Sequence, residues 1–333
     1  MKIVECVANI SEGSDLDKIR TIAEAAERQG ASILDIDGGK GAGRTVITFA
    51  APLEKMCSAA VSFITTACQL IDMRQHTGVH PCIGSADVIP FVPLGDTDIT
   101  ECADLAEQVA EKISETLQIP TFIYGKFAKR VQQNKLSAIR RGGYQSLAER
   151  LEKGEITPDF GSAKVGSAGG TIIGSRPIML AYNINLANDD VPLASKIAGL
   201  IRTSGRLKRT PEGTQIREAG LFPNCEAIGW YIEDFGRAQV STNIRVIGNP
   251  PIHTVYETVK KLASENNGEV TGSEIIGLLP LESLLEAQKY YRNALNFGDD
   301  FSAAIAGLGL ADVKPFDPSL KVLEHRLKTF NLL

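Results

Sequence analysis

The chain has 333 residues, of which 43% are hydrophobic and 23% charged, and at about 150 residues per domain this length predicts two globular domains. Its 35 Lys and Arg against 40 Asp and Glu give a net charge of −5, which argues against a nucleic-acid protein that depends on an overall positive field. No apolar run reaches the roughly 20 residues that cross a bilayer, and no signal-peptide pattern opens the chain. We therefore expect a cytoplasmic protein that binds neither membrane nor nucleic acid.

The six cysteines are scattered along the chain, and no C-x-x-C pair occurs. In a chain long enough to bury its own core, such cysteines are expected to be reduced thiols. This excludes a zinc ribbon and a disulfide scaffold. The cysteines are Cys6, Cys57, Cys68, Cys82, Cys102 and Cys225.

The first half of the chain alternates strand and helix patterns. Short apolar runs predict strands, and the first helix is expected to begin at an N-cap on Ser14 and to end before Gly30. A long helix is predicted from Glu54 to Leu70, and a further helix after a cap at Thr100. The predicted strands are Ile3–Asn9, Ser32–Asp37, Arg44–Phe49, Asp87–Val92 and Thr121–Tyr124.

The second half of the chain shows the same alternation of strand and helix patterns. Both halves approximate β-α-β-β-α-β, the split-βαβ or ferredoxin-like arrangement, so we predict an α/β (α+β) protein of two related subdomains. The polar stretch Glu149–Ser167 is the natural boundary region, and the subdomains are placed at residues 1–176 and 177–333. The predicted elements of the second half are Ile178–Asn185, Leu193–Arg202, Ala227–Ile232, Ala238–Ile244, His253–Glu265 and a strand from about Glu269.

The chain has two glycine clusters, and the first of them invites a phosphate-binding interpretation. The turn Gly38–Gly43 matches neither G-x-x-x-x-G-K-[ST] nor G-x-G-x-x-G, and a strand follows it instead of a helix, so a plain turn is favoured. The second cluster, Gly161–Gly174, is either a flexible linker or a loop against a ligand, and its composition slightly favours the linker.

The segment from Ile71 to Asp87 is the densest in reactive side chains. It holds His76 and His80, half of the histidines of the chain, together with Cys82. Histidine is the side chain best suited to proton transfer near neutral pH, and loops between regular elements concentrate such groups. Three alternatives remain: structural histidines, a Cys82 nucleophile with His80 as base, and a metal site built on His76, His80 and Asp87.

Segments of the chain, in order, closely resemble glutamate formimidoyltransferases. The resemblance runs from about residue 3 to residue 290 and is more specific than any one motif. The matching segments are Val4–Gly13, Leu34–Asp37, Arg44–Phe49, Leu70–Met73, His80-Pro81, Gly84, Asp87–Phe91, Pro158–Gly161, Tyr182–Leu186, Gln239–Asn243 and Gly272–Leu281.

The resemblance implies two α/β subdomains with sheets that face a ligand cleft, in a dimer. It implies transfer of a formimidoyl group from N-formimidoyl-L-glutamate to tetrahydrofolate, a co-substrate, without a metal. The catalytic histidine, aspartate and arginine of the family fall on His80, Asp37 and Arg44. Its folate-contacting loop falls on Gly161, Ser162, Ala163, Lys164, Val165, Gly166, Ser167, Ala168 and Gly169.

The stretch Gly125–Ala148 has no acidic residue and six basic ones, which suits either a folate glutamate tail or a solvated surface. Five positions near the expected site depart from the family pattern. Ala8 replaces a proline and Gly43 an asparagine, Val79 and Cys82 replace a glutamate and an arginine around His80-Pro81, and Ala168 stands near a missing aromatic residue. Two alternatives follow: a related transferase with another donor, such as formimidoylglycine, and a non-catalytic folate-binding protein.

Overall fold

The computed structural model describes residues 1–78, 80–210, 213–295 and 300–333. The chain forms two compact units, one of Met1–Pro177 with Leu327–Leu333, the other of Ile178–Arg326. The polar stretch Glu149–Ser167 lies inside the first unit.

The first unit is built on a six-stranded sheet in the order β2-β3-β1-β4-β6-β5. Strands β1 to β4 pair antiparallel, whereas β6 pairs parallel with β4 and β5. The strands are β1 Lys2–Ile10, β2 Ser32–Gly39, β3 Arg44–Pro52, β4 Ala86–Gly95, β5 Thr121–Tyr124 and β6 Thr171–Ser175. The helices are α1 Leu16–Glu27, α2 Leu53–Leu70, α3 Ile99–Leu117, α4 Leu136–Ile139 and α5 Gly143–Glu152.

The order of β1 to β4 with α1 and α2 is the predicted ferredoxin-like arrangement. Helix α3 with β5 and β6 extends the sheet beyond that pattern. Strand β6 overlaps the end of the glycine cluster Gly161–Gly174, for which the composition predicts a linker or a ligand loop, and all five of its residues are buried. A short strand buried between two parallel neighbours lacks the alternating pattern that identifies strands in a sequence.

The two faces of this sheet carry different side chains. One face packs against α1 to α3 through a core that includes Cys6, Ala8, Ile47 and Phe49. Side chains alternate between the faces of a strand, so the strand neighbours Asn9 and Val46 belong to the opposite face. On that face α4 and α5 cover the part formed by β4, β6 and β5.

Two predicted helix caps are wrong by one or two residues. Asp15, not Ser14, caps α1, and its carboxylate accepts the Lys18 amide at 3.1 Å. Asp98, not Thr100, caps α3, because its carboxylate accepts the Thr100 amide at 2.7 Å while Glu101 reaches back to the Asp98 amide. Acidic caps complement the positive end of the helix as well as the free amides.

The second unit has a four-stranded antiparallel sheet in the order β10-β11-β7-β12. With α6 and α7 this is again β-α-β-β-α-β, as predicted. The strands are β7 Leu180–Leu186, β8 Arg206–Arg209, β9 Gln215–Glu218, β10 Cys225–Ile232, β11 Arg237–Ile244 and β12 Val270–Ile276. The helices are α6 Val191–Ile201, α7 Ile252–Ser264, α8 Leu281–Leu295, α9 Ser302–Leu308, α10 Pro318–Lys321 and α11 Leu323–Thr329.

A separate two-stranded hairpin of β8 and β9 interrupts the second pattern after α6. The sequence did not predict it, nor the helices that follow β12. Among the described residues, no helix is long and apolar enough to cross a membrane.

Candidate active site

The histidine-bearing segment is a loop that joins α2 to β4. Asp72 caps a single 3-10 turn at Met73–Gln75, and the chain is extended at His76. The loop is anchored by Ser85, whose hydroxyl donates to the Ile71 carbonyl at 2.7 Å. His76 and His80 therefore do not form the i, i+4 pair of a helical metal site.

The first glycine turn supports this loop. Gly43 has a φ of +64°, and a Cβ placed on it would lie 2.5 Å from the Gly78 Cα. The His80 amide donates to the Ala42 carbonyl at 3.3 Å. The turn is thus more than a plain connection, because its lack of side chains lets the His80 loop lie directly on it.

Three polar side chains on adjacent strands lie on the face opposite α1 to α3. Asn9 of β1 pairs with Val46 of β3, and Val46 pairs with Asp37 of β2, so these residues form one row across the sheet. Arg44 precedes Val46 by two residues and extends from the same face. The structure thus brings Asp37 and Arg44, which are distant from His80 in sequence, to the strand ends beside its loop.

The central contact of the site joins Arg44 to His80. The Arg44 Nη1 lies 2.8 Å from the His80 Nε2, and a guanidinium can only donate, so Nε2 is the acceptor. The other ring nitrogen, Nδ1, lies 3.0 Å from the Pro81 carbonyl and carries the proton. His80 is therefore a neutral imidazole in a fixed tautomer. The Arg44 Nη2 donates to the Asn9 side-chain oxygen.

The electrostatics agree with this assignment. Burial, followed by the charges of Arg44 and Arg140, lowers the pKa of His80 to about 2. Burial and the nearby Arg140 charge lower the pKa of Arg44 to about 10, which leaves its guanidinium charged at neutral pH. Asp37 and Asp87 act in the opposite direction on Arg44. A neutral histidine beside two cations is the arrangement expected from their mutual repulsion.

Arg140 also belongs to this cluster, although no sequence pattern predicts it. Arg140 lies in the basic stretch, yet its side chain is only 15% exposed and its Nη2 donates to the carboxylate of Asp87. That carboxylate also accepts the Ile83 amide at 2.8 Å. The only sequence signal was the absence of acidic residues around Arg140, which does not reveal a partner 53 positions away.

Cys82 is buried beneath the same cluster and is 8% exposed. Burial, together with the Asp87 charge, raises the pKa of its thiol to about 11. The thiol is therefore protonated at neutral pH, which argues against Cys82 as a nucleophile. Among the described residues, no group of three or more His, Cys, Asp or Glu side chains is arranged to hold a metal ion, so His76, His80 and Asp87 do not gather into one.

The C-terminal half of the predicted folate loop lies directly against the His80 loop. The Ala168 carbonyl accepts from the Ser85 amide at 2.8 Å, and the Ser167 carbonyl from the Met73 amide at 2.8 Å. Gly169 has a φ of +71°, and a Cβ on it would lie 2.1 Å from the Ile83 carbonyl oxygen. Residues Gly161, Ala163, Lys164, Gly166 and Ser167 are exposed. The backbone of Ser167–Gly169 is therefore fixed against the His80 loop, while most of the preceding residues of the predicted folate loop are exposed and accessible to a ligand.

Two family models cover most of the chain. The N-terminal subdomain of the formiminotransferase domain matches residues 3–176, and the formiminotransferase domain matches residues 181–328. The chain belongs to the formiminotransferase family.

Named relatives agree with this assignment. The chain is 38% identical to formimidoyltransferase-cyclodeaminase of Rattus norvegicus over 97% of its own length, and it spans 60% of the length of that protein. It is 36% identical to glutamate formimidoyltransferase of Thermoplasma acidophilum and 35% identical to that of Streptococcus pyogenes serotype M1. These matches cover 90% and 89% of this chain and 95% of each relative.

The departures from the formiminotransferase pattern have different structural settings. Ala8 is fully buried in the core under the helices, and Cys82 lies beneath the His80 cluster. At position 43 the close approach of Gly78 leaves no room for a side chain. Ala168 is half-buried and packs against the core. Val79 lies outside the described residues.

The basic stretch Gly125–Ala148 is largely neutralised by carboxylates from other segments. Lys129 lies 3.5 Å from Glu107 and Arg141 lies 2.8 Å from Glu155. Arg130 is paired with Asp159, and Arg140 with Asp87. Four of the six cations thus have carboxylate partners from other segments, which argues against the stretch as a strong site for an anionic folate tail.

Proposed function

We propose that this chain transfers the formimidoyl group of N-formimidoyl-L-glutamate to tetrahydrofolate, giving 5-formimidoyltetrahydrofolate and glutamate. The family and two relatives of nearly full length that are named glutamate formimidoyltransferase support the proposal. The observation that carries it is the neutral His80, fixed in one tautomer by the Pro81 carbonyl beside Arg44.

The reaction exchanges one C–N bond for another. The folate N5 attacks the formimidoyl carbon and forms a tetrahedral intermediate. His80 accepts the proton that N5 loses, and the same proton then passes to the nitrogen of the departing glutamate as its C–N bond breaks. A neutral imidazole has the protonation state that the first transfer requires.

Asp37 and Arg44 divide the charges of the donor between them. The protonated formimidoyl group is an amidinium cation, which suits the buried carboxylate of Asp37, 8% exposed. Arg44 suits a carboxylate of the donor because its planar fork of N–H groups matches two oxygens. Residues Gly161–Gly169 would hold the folate. Most of the acceleration would come from holding two substrates together, at the upper limit about 7–11 kcal/mol.

A related donor is the second candidate. Cys82 stands where the family pattern has an arginine, and its buried thiol is uncharged at neutral pH. A donor with one carboxylate, such as formimidoylglycine, needs less positive charge than a dicarboxylate. The choice between the donors therefore depends on whether Arg44 and Arg140 supply enough charge.

A transferase assay tests the proposal. The purified chain is incubated with tetrahydrofolate and a panel of formimidoyl amino acids, and both 5-formimidoyltetrahydrofolate and the released amino acid are measured. We expect formimidoylglutamate to be the best donor. A preference for formimidoylglycine would select the second candidate, and folate binding without turnover of any donor would identify a non-catalytic folate-binding protein.

We also propose that the chain acts as a homodimer in the cytoplasm, in histidine degradation and one-carbon metabolism. The support is the family alone. Sedimentation equilibrium of the purified chain is expected to give twice the monomer mass of 35.8 kDa.

A further inference from the structure

The basic nitrogen of His80 is not free to accept a proton in this structure. Its Nδ1 carries the hydrogen that faces the Pro81 carbonyl, so Nε2 holds the only available lone pair of the ring. That lone pair accepts the Arg44 Nη1 at 2.8 Å. Deprotonation of the folate N5 by this nitrogen therefore requires that Arg44 first release it.

Among the residues that the structure describes, Arg44 has hydrogen-bond acceptors but no carboxylate partner. Its two Nη atoms donate to the His80 ring and to the side-chain oxygen of Asn9, both neutral, and its buried Nε has no partner among the described residues. Hydrogen bonds from a guanidinium to a carboxylate are about twice as strong as those to neutral groups. A ligand carboxylate would therefore compete successfully for the Arg44 fork.

The second arginine adds to this preference. Arg140 lies close enough to lower the pKa of both Arg44 and His80, and its own charge is matched by Asp87. The charged or titratable groups that act on the pair are Arg140, Asp87, Asp37, Cys82 and His76. Asp87 already accepts from Arg140 and the Ile83 amide. A ligand carboxylate would supply Arg44 with the negatively charged acceptor that no described residue provides.

We propose that a carboxylate of the bound donor draws the Arg44 guanidinium away from His80 and thereby releases Nε2 as the catalytic base. Arg44 then has two successive functions, to block the base in the free protein and to bind the donor. The inference rests on the proposed function for the identity of the donor. It explains why a base is held against a cation: an imidazole that becomes basic only when the donor arrives is matched to the step it performs.

The test follows the imidazole itself by nitrogen NMR, with glutarate as the probe. The full chain is labelled with 15N-histidine and has four histidines, and His80→Gln identifies the His80 signals. Glutarate has the two carboxylates of glutamate and no transferable group. We expect saturating glutarate to move the Nε2 signal to that of a nitrogen without a donor and to raise the pKa of His80 by at least about one unit, tenfold in proton affinity.

Glutaramide, the uncharged diamide, is the matched control and should change neither quantity. In Arg44→Gln the signal is expected to be at the released position without ligand, and glutarate should have no further effect. Bound glutarate that leaves the His80 signals unchanged, or no binding of glutarate at tens of millimolar, would overturn the inference. The wild-type comparison of glutarate with glutaramide decides alone if Arg44→Gln does not fold.

This outcome is separate from the proposed function, because glutarate transfers nothing. A chain that shows the shift but produces no 5-formimidoyltetrahydrofolate would refute the proposed function and retain the release of His80. A chain that produces 5-formimidoyltetrahydrofolate but shows no shift of the His80 signals would support the proposed function and refute the release of His80.

Discussion

Buried polar side chains occur on the sheets of both units, but their hydrogen bonding differs. In the second unit the Gln239 amide donates to the Asn185 oxygen at 2.7 Å and to the Glu274 carboxylate at 2.9 Å. The Asp312 carboxylate, at the end of the same network, accepts from Asn185, Arg237 and Thr271 at 2.9, 2.8 and 2.7 Å. Within the described residues, no buried nitrogen or oxygen of this network lacks a partner.

In the first unit, by contrast, the cluster around Arg44 and His80 contains buried nitrogen atoms without a hydrogen-bond partner among the described residues. The Nε atoms of Arg44 and Arg140 and the Nε2 of His76 are buried without a partner among the described residues. Buried polar groups are nearly always hydrogen-bonded, so an exception needs an explanation. A network that is complete in itself stabilises the fold, whereas one that leaves cationic donors unpaired is suited to an anionic ligand. We therefore expect the network of the second unit to stabilise the fold and the cluster of the first unit to bind a ligand.

The largest expected effect is on catalysis in the first unit. His80→Ala removes the proposed base and should reduce the transferase kcat by about 10²–10⁴-fold, the usual contribution of general base catalysis. His253→Ala is the matched control, because His253 is also half-buried but lies in the second unit, stacked on Tyr290. We expect the control to retain nearly full turnover. Equal losses in both variants would show that His80 has no special function.

The next effect is on the stability of the second unit. Asp312→Ala leaves the side chains of Asn185, Arg237 and Thr271 without their shared acceptor, and should lower the free energy of unfolding by about 2–3 kcal/mol. Urea unfolding followed by circular dichroism measures the loss. Asp189→Ala, an exposed aspartate before α6, is the control and should change stability little. A loss as small as that of the control would mean that this network is not a source of stability.

Acid should weaken the two regions in different pH ranges. The folded pKa of His80 is lowered from 6.5 to about 2, so between these values the unfolded chain binds a proton that the folded chain does not. The stability that His80 contributes is thus complete above pH 6.5 and is lost as the pH falls below it. Relative to His80→Gln, the wild-type chain should lose at most about 1.4 kcal/mol for each pH unit. Urea unfolding at pH 7, 6 and 5 measures the difference.

The second region responds only at lower pH. Burial opposes ionisation of Asp312, but hydrogen bonds from Thr271, Asn185 and Arg237 outweigh it and lower its pKa from 3.8. Its contribution is therefore present above pH 3.8 and is lost as the pH falls further. The free energy of unfolding of Asp312→Asn should therefore change with pH as that of the wild type does between pH 7 and 5.

For His80 the contrary result is equally clear. If the free energy of unfolding of His80→Gln fell with pH as steeply as that of the wild type, the assignment of a neutral His80 would be wrong.

The fold was largely predictable from the sequence, because hydrophobic patterns identify strands and helices that pack against one core. The hairpin of β10 and β11 and the helices α2 and α7 were placed within a few residues. The strands that were missed have no such pattern. Strand β8 reads Arg-Leu-Lys-Arg and is mostly exposed, and β6 is short, glycine-containing and wholly buried. Neither alternation nor composition distinguishes them from loops.

The candidate site was predictable only in part. His80 is a candidate from the sequence alone because it lies in a loop dense in reactive side chains. Asp37 and Arg44 are candidates only through the resemblance to the family. The partner of Arg44 and the presence of Arg140 depend on contacts across 36 and 53 positions of the chain. Such contacts follow from sheet register and loop packing, which a single sequence does not display. The tautomer of His80 likewise becomes clear only when its two neighbours are known.

The smallest expected effect concerns the thiol under the site. Cys82→Ser keeps the size of the side chain but would eliminate a thiolate nucleophile, so it separates packing from chemistry. Because burial raises the pKa of Cys82 to about 11, the thiol is protonated at neutral pH, and we expect kcat to change by no more than about threefold. Steady-state turnover at pH 7, with His80→Ala measured beside it, checks this. A loss in Cys82→Ser comparable to that in His80→Ala would transfer the catalytic function from the histidine to the cysteine.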